Sequence, residues 1–63
     1  MSLYDYRESA EIAEKDYQFY ALIMAAMRKA DTDNLEILKV AFPEVYRELV
    51  KRYHAPAGEI EGD

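Results

Sequence analysis

Phe19-Tyr20-Ala21-Leu22-Ile23-Met24-Ala25-Ala26-Met27 is the stretch that decides the reading of this chain: nine consecutive apolar residues inside an acidic sequence of 63. At 100° per residue, Phe19, Tyr20, Leu22, Ile23, Met24, Ala26 and Met27 sweep an arc of about 200° on a helix. One packed neighbour covers about half of such an arc. The other side holds Ala21 and Ala25, four residues apart, with Arg28 and Lys29. That narrow face is either a site of close helix approach or a wet surface of good helix formers.

Working outward, no Gly or Pro occurs before Pro43, so residues 4–42 are free to be helical. Ser2 followed by Asp5 has the spacing of a capping box and marks a start. From there Leu3, Tyr6, Ala10, Ala13, Tyr17, Tyr20, Met24 and Met27 recur at alternating steps of three and four, the spacing of a packed helical seam. The seam is rich in Tyr and Ala rather than Leu, which points to helix packing and not to a coiled coil. Around Glu14-Lys15-Asp16 the arm is either continuous or broken near 15–17, with Asp16 able to cap a second helix from Tyr17.

Arg28 and Lys29 suit a last helical turn, where cations complement the dipole. Asp31, Thr32 and Asp33 follow as good N-caps, and Asp33 with Glu36 repeats the capping-box spacing. Leu35, Leu38 and Phe42 then share a face, with Ile37 and Ala41 beside it. Pro43 ends that short helix and suits the first position of another. Val45, Tyr46, Leu49, Val50 and Tyr53 form its stripe. Glu44–Arg47, Glu48–Lys51 and Glu48–Arg52 are candidate outer pairs. Ala55-Pro56-Ala57-Gly58 stops it.

The expected fold is all-α: a helical hairpin with a long N-terminal arm over about 4–29, a turn at 31–33, and a return arm of two short helices broken at Pro43. Residues 1–58 make one helical domain, and 59–63 an acidic flexible tail. No internal repeat is evident. A chain of this size is marginally stable alone, and with no Cys it has no disulfide staple. Together with the wide apolar arc, this predicts a homo-oligomer. The self-association residues are Tyr6, Tyr17, Phe19, Tyr20, Ile23, Met24 and Met27.

Charge narrows the function classes. The chain carries eight basic and 13 acidic side chains, a net of −5. Residues 1–27 (Arg7 and Lys15 against Asp5, Glu8, Glu11, Glu14 and Asp16) are acidic, 28–53 are slightly basic, and the tail adds Glu59, Glu61 and Asp63. Nucleic-acid binding draws on basic surface, so this balance argues against it. The apolar run is shorter than the roughly 20 residues that span a bilayer. Met1-Ser2-Leu3-Tyr4-Asp5-Tyr6 lacks the basic start of a signal peptide. The expected location is the cytoplasm, with no membrane partner.

No catalytic signature stands out. His54 is the one histidine and reads as a dipole-facing residue at a helix end. Glu8, Glu11, Glu14 and Lys15 read as a solvated face, since a di-metal bundle needs Glu-x-x-His pairs. Asp31-x-Asp33 begins like a calcium loop, but the sixth position is Glu36 and the twelfth Phe42, so it fails. The expectation is therefore a protein that is not an enzyme and has no cofactor or metal. Six tyrosines suit half-buried seams and interfaces. Tyr4 lies off the seam and, with Arg47, Lys51 and Arg52, marks a candidate surface for an outside partner. Residues 33–53 could be taken for a helix-turn-helix, but Glu44 and Glu48 share the second helix and no Gly turn joins the pair.

The run 19–35, followed by Ala41-Phe42-Pro43-Glu44-Val45 and Arg52-Tyr53-x-Ala55-Pro56, resembles a family of very small proteins encoded by bacteriophages and prophages of gut bacteria. The resemblance covers Tyr4 to Gly58. Relatives often carry Trp at the position of Tyr46 and Gly at that of Ala57. The family has no established activity, so no functional residue carries over. What the resemblance implies is a small binding module that modulates a host, phage or defence protein. The alternative is a structural or assembly accessory, and the lesser alternative a nucleic-acid or nucleotide binder built on residues 33–53.

Overall fold

The computed structural model describes all 63 residues and is all-helical. Four α-helices run in order: α1 (Leu3–Glu14), α2 (Phe19–Lys29), α3 (Thr32–Ala41) and α4 (Pro43–Tyr53), followed by a single 3₁₀ turn at Pro56–Gly58.

Helix α1 begins where Ser2 predicts. The Ser2 Oγ accepts the backbone N–H of Asp5 at 3.2 Å and donates to the Asp5 carboxylate at 3.1 Å. The helix stops at Glu14, and Lys15 leaves it in an extended conformation. No basic residue lies in its last turn. Glu11 and Glu14, with Asp16 just beyond, stand instead at the negative end of the helix dipole, where carboxylates are unfavourable. The long arm is therefore broken. The second helix does not start at Tyr17 under an Asp16 cap. Its N-cap is Gln18, which makes no side-chain capping bond. Here burial of the apolar run outweighs capping.

The α2–α3 turn falls where the sequence places it. Of the three candidate caps, Asp31 takes the position: its Oδ1 accepts the N–H of Asn34 at 2.8 Å. Asp33 sits in the first turn, and Glu36 pairs with Lys39 at 3.2 Å instead of closing a capping box with Asp33. At the next joint Phe42 ends α3 and opens α4, with Pro43 in the first turn of the new helix. Of the three pairs expected on α4, only Glu48–Arg52 forms.

The hairpin holds over α2–α4 and ends at residue 18. Helices α2, α3 and α4 pack on one another, and the 3₁₀ turn packs on α4. Met27, Leu35, Tyr46, Leu49 and Val50 line the cleft at the centre of this body. Met27 is the one buried residue of the chain, 3% exposed. Phe19 closes the far end with its ring 6.1 Å from that of Phe42, edge to face. Helix α1 takes no part: no Cα of α1 comes within 8 Å of another helix. The result is an elongated particle of 42 × 28 × 17 Å. Its radius of gyration is 13.5 Å, against about 11 Å for a compact domain of this length.

Residues 59–63, expected as a flexible tail, turn back onto α4. The Arg52 guanidinium donates to the carbonyl of Gly58 at 2.8 Å and to the Asp63 carboxylate at 2.9 Å. The turn that permits this passes through Ala57 at φ 56°, a left-handed conformation that suits glycine better than alanine.

Candidate protein-interaction surface

Helix α2 carries two working faces. One, through Tyr20, Met24 and Met27, lies toward α3 and α4. The other, through Ala21, Leu22, Ala25 and Ala26, lies away from them and lines an open groove shared with α1. From α1 and the connector come Ser9, Ile12, Ala13, Lys15 and Tyr17, and Lys29 closes the end. The groove encloses about 750 Å³. Its floor is built of small residues, the kind that let another helix backbone approach closely.

The two walls diverge for a local reason. Residues 15–18 are non-helical: Lys15 and Gln18 are extended, and between them the Tyr17 N–H donates to the Lys15 carbonyl at 2.9 Å, so α1 leaves the body instead of folding along it. The inner stripe of α1 is left without cover. On it Leu3, Tyr6 and Ile12 are 62%, 73% and 41% exposed; Tyr4, on the opposite side of the helix, and Tyr17, in the connector, are exposed as well. The polar side of α1 is anionic, with Glu8, Glu11, Glu14 and neighbouring Asp16 in no ion pair within the chain. Lys15 and Lys29, on the groove, are likewise unpaired.

The residues expected to mediate self-association separate into two groups. Tyr6, Tyr17, Phe19 and Tyr20 are exposed. Ile23 and Met24 are half-buried, and Met27 is buried in the chain's own body. Met27 is therefore core and not surface: the return arm covers the part of the arc centred on it. The narrow Ala21/Ala25 face is the exposed one.

Among the residues expected to face an outside partner, Tyr4, Arg47 and Lys51 are exposed. Arg52 is half-buried and engaged by Glu48, Gly58 and Asp63, so its guanidinium is already occupied. The same contact holds the Asp63 carboxyl at about 2, below its usual value, chiefly through the Arg52 hydrogen bond.

Sequence reasoning placed Ala13 in the seam but did not single out Ser9 or Ile12 as a surface. Ile12 was detectable as the large apolar residue of α1 lying off the seam. Ile37, expected beside the packed face of α3, and Val40, which went unmarked, are exposed on that helix at 65% and 82%.

No helix is long and apolar enough to cross a membrane. The chain matches no family model, no curated protein and no solved structure.

Proposed function

We propose that this chain is a small non-enzymatic protein-interaction module whose working surface is the α1–α2 groove together with the tyrosine-bearing stripe of α1. One observation carries the reading: an entire amphipathic helix stands clear of the body with its apolar side uncovered. Exposed apolar surface of that extent on a small protein marks an interaction site. Tyr6 and Tyr17 add large amphipathic contacts of the kind enriched at interfaces. The setting we propose is the cytoplasm of a phage-bearing bacterium, for which the support is the resemblance of residues 19–35, 41–45 and 52–56 alone. Acting on a host or defence protein and serving as an assembly component use the same surface, and the identity of the partner separates them.

The test compares native mass spectra of wild type and Ala25→Glu, each purified from its expression host. The module reading expects a stoichiometric protein, either a further copy or another chain, bound to wild type and lost in the variant. A bare single chain in both samples, with no protein retained by either, overturns it.

A further inference from the structure

We infer that the groove is the seat of a second copy of this chain: two molecules mate groove to groove, each placing α1 against the Ala21/Ala25 face of the other. This rests on the interaction-module reading and names its partner. Area supplies the first argument. The chain exposes 5662 Å², whereas a compact monomer of 7.3 kDa exposes about 4,200 Å². The surplus is about 1,500 Å² per chain, or about 3,000 Å² for two, which falls within the 2,000–5,000 Å² span of obligate dimers.

Shape supplies the second argument. The stripe of α1, through Leu3, Tyr6, Ser9, Ala10, Ile12 and Ala13, covers about half the helix circumference. Folding α1 back onto its own α2 would give it a single neighbour and leave much of that stripe wet. A two-fold mating gives each α1 two new neighbours, the partner's α1 and α2. The product is a four-helix core of α1 and α2 from both chains, with an isologous interface in which the same patch serves on each side. Small side chains at Ser9, Ala13, Ala21 and Ala25 allow the close approach this requires.

Charge supplies the third. Glu8 and Glu14 flank the apolar stripe of α1, Lys15 and Lys29 stand on the groove, and all four are unpaired within one chain. Mating brings these carboxylates and lysines, opposite in sign, to the rim of a dry core.

The experiment uses the absence of native cysteine. Full-length Ala13→Cys chains are mixed with Ala25→Cys chains bearing a mass tag, and mild oxidation is followed by mass spectrometry. The expected result is a mixed disulfide formed at least about tenfold faster than between Ala13→Cys and the control Val40→Cys, whose position lies on exposed α3. Sedimentation of Ala25→Glu accompanies it, with the expected loss of dimer and retention of most helical signal. A mixed disulfide no faster than the control, or a dimer that Ala25→Glu leaves intact, overturns the proposal. A wild-type monomer also overturns it; if that monomer retains another protein through the same groove, the module reading survives.

Discussion

Helices α1 and α2 are nearly the same length, 12 and 11 residues, are separated by four residues, and each carry an apolar stripe. One is central to the body, and the other has no Cα within 8 Å of another helix. The difference lies in what the stripes contain. Helix α2 turns Met24 and Met27 toward α3 and α4, and full burial of a side chain such as that of Met27 stabilises by about 1.5–3 kcal/mol. Helix α1 offers Ala10, Ala13 and Ser9 between its few large residues, with carboxylates at its C-terminal end. Covering such a stripe yields little per residue against an ordering cost of about 1–2 kcal/mol per residue. It becomes favourable when several faces are covered at once. The general lesson is that periodicity identifies a helix that must be covered, while side-chain volume decides whether the chain can cover it alone.

Deleting side-chain volume should break this contrast most severely. Met27→Ala is expected to destabilise the body by about 2–4 kcal/mol, since it removes the one buried side chain. A urea melt followed by circular dichroism reads it. Tyr4→Ala, on the uncovered arm, is expected to shift the same melt by no more than about 0.5 kcal/mol.

Equivalent caps on the two regions sharpen it next. Asp31→Ala removes the cap of α3 and is expected to cost the body about 1 kcal/mol, while Asp33→Ala, whose side chain is not the cap, leaves it nearly unchanged. Ser2→Ala removes the equivalent bond from α1. Its effect is expected in the helical signal of residues 3–14 and not in the melting of the body, as residue-resolved NMR shifts would report.

A smaller and opposite effect is expected at the far end. Ala57→Gly relieves the left-handed conformation at φ 56° and is expected to stabilise by about 0.5–1 kcal/mol. A rise in thermal midpoint would show it; a fall would mean the turn at residues 56–58 is not formed in solution.

The smallest effect concerns pH. The Asp63 carboxyl is lowered from 3.8 to about 2 by Arg52 and by the N–H of Ile60. A depressed carboxyl stabilises the folded state above its unfolded value and loses that contribution as protons bind. The fold-back of the tail is therefore expected to be complete above pH 4 and to be lost as pH falls from there through about 2. Because both side chains are solvent-accessible, the change should register at Gly58 and Asp63 in an NMR titration and scarcely in global stability.

Much of the local architecture was legible in the sequence because it depends on neighbours within four residues. Ser2 starts α1, the 31–33 segment turns the chain, and Pro43 divides the return arm, each through a bond or steric rule contained in a few residues. Where several local rules competed, as among Asp31, Thr32 and Asp33 or between Asp16 and Gln18, residue identity did not choose, since all offered comparable caps. The groove was legible only in outline. Ala21 and Ala25 formed a visible face, but whether it was wet depended on where α1 went, and that depended on the non-helical connector at 15–18. Met27 was assigned to the interface because the wide arc does not say which of its parts the return arm covers. The occupation of Arg52 by Asp63 was invisible because it joins residues 11 apart across an irregular turn.

Helix α1 lacks a cover within one chain, and we propose that a second chain supplies it. Sedimentation equilibrium of the wild-type protein from micromolar concentration upward decides the matter. The expected mass is twice the 7.3 kDa of the chain, returning toward that single value on dilution and in Ala25→Glu. A mass of one chain throughout the range, with the amides of α1 already protected from exchange, would contradict it.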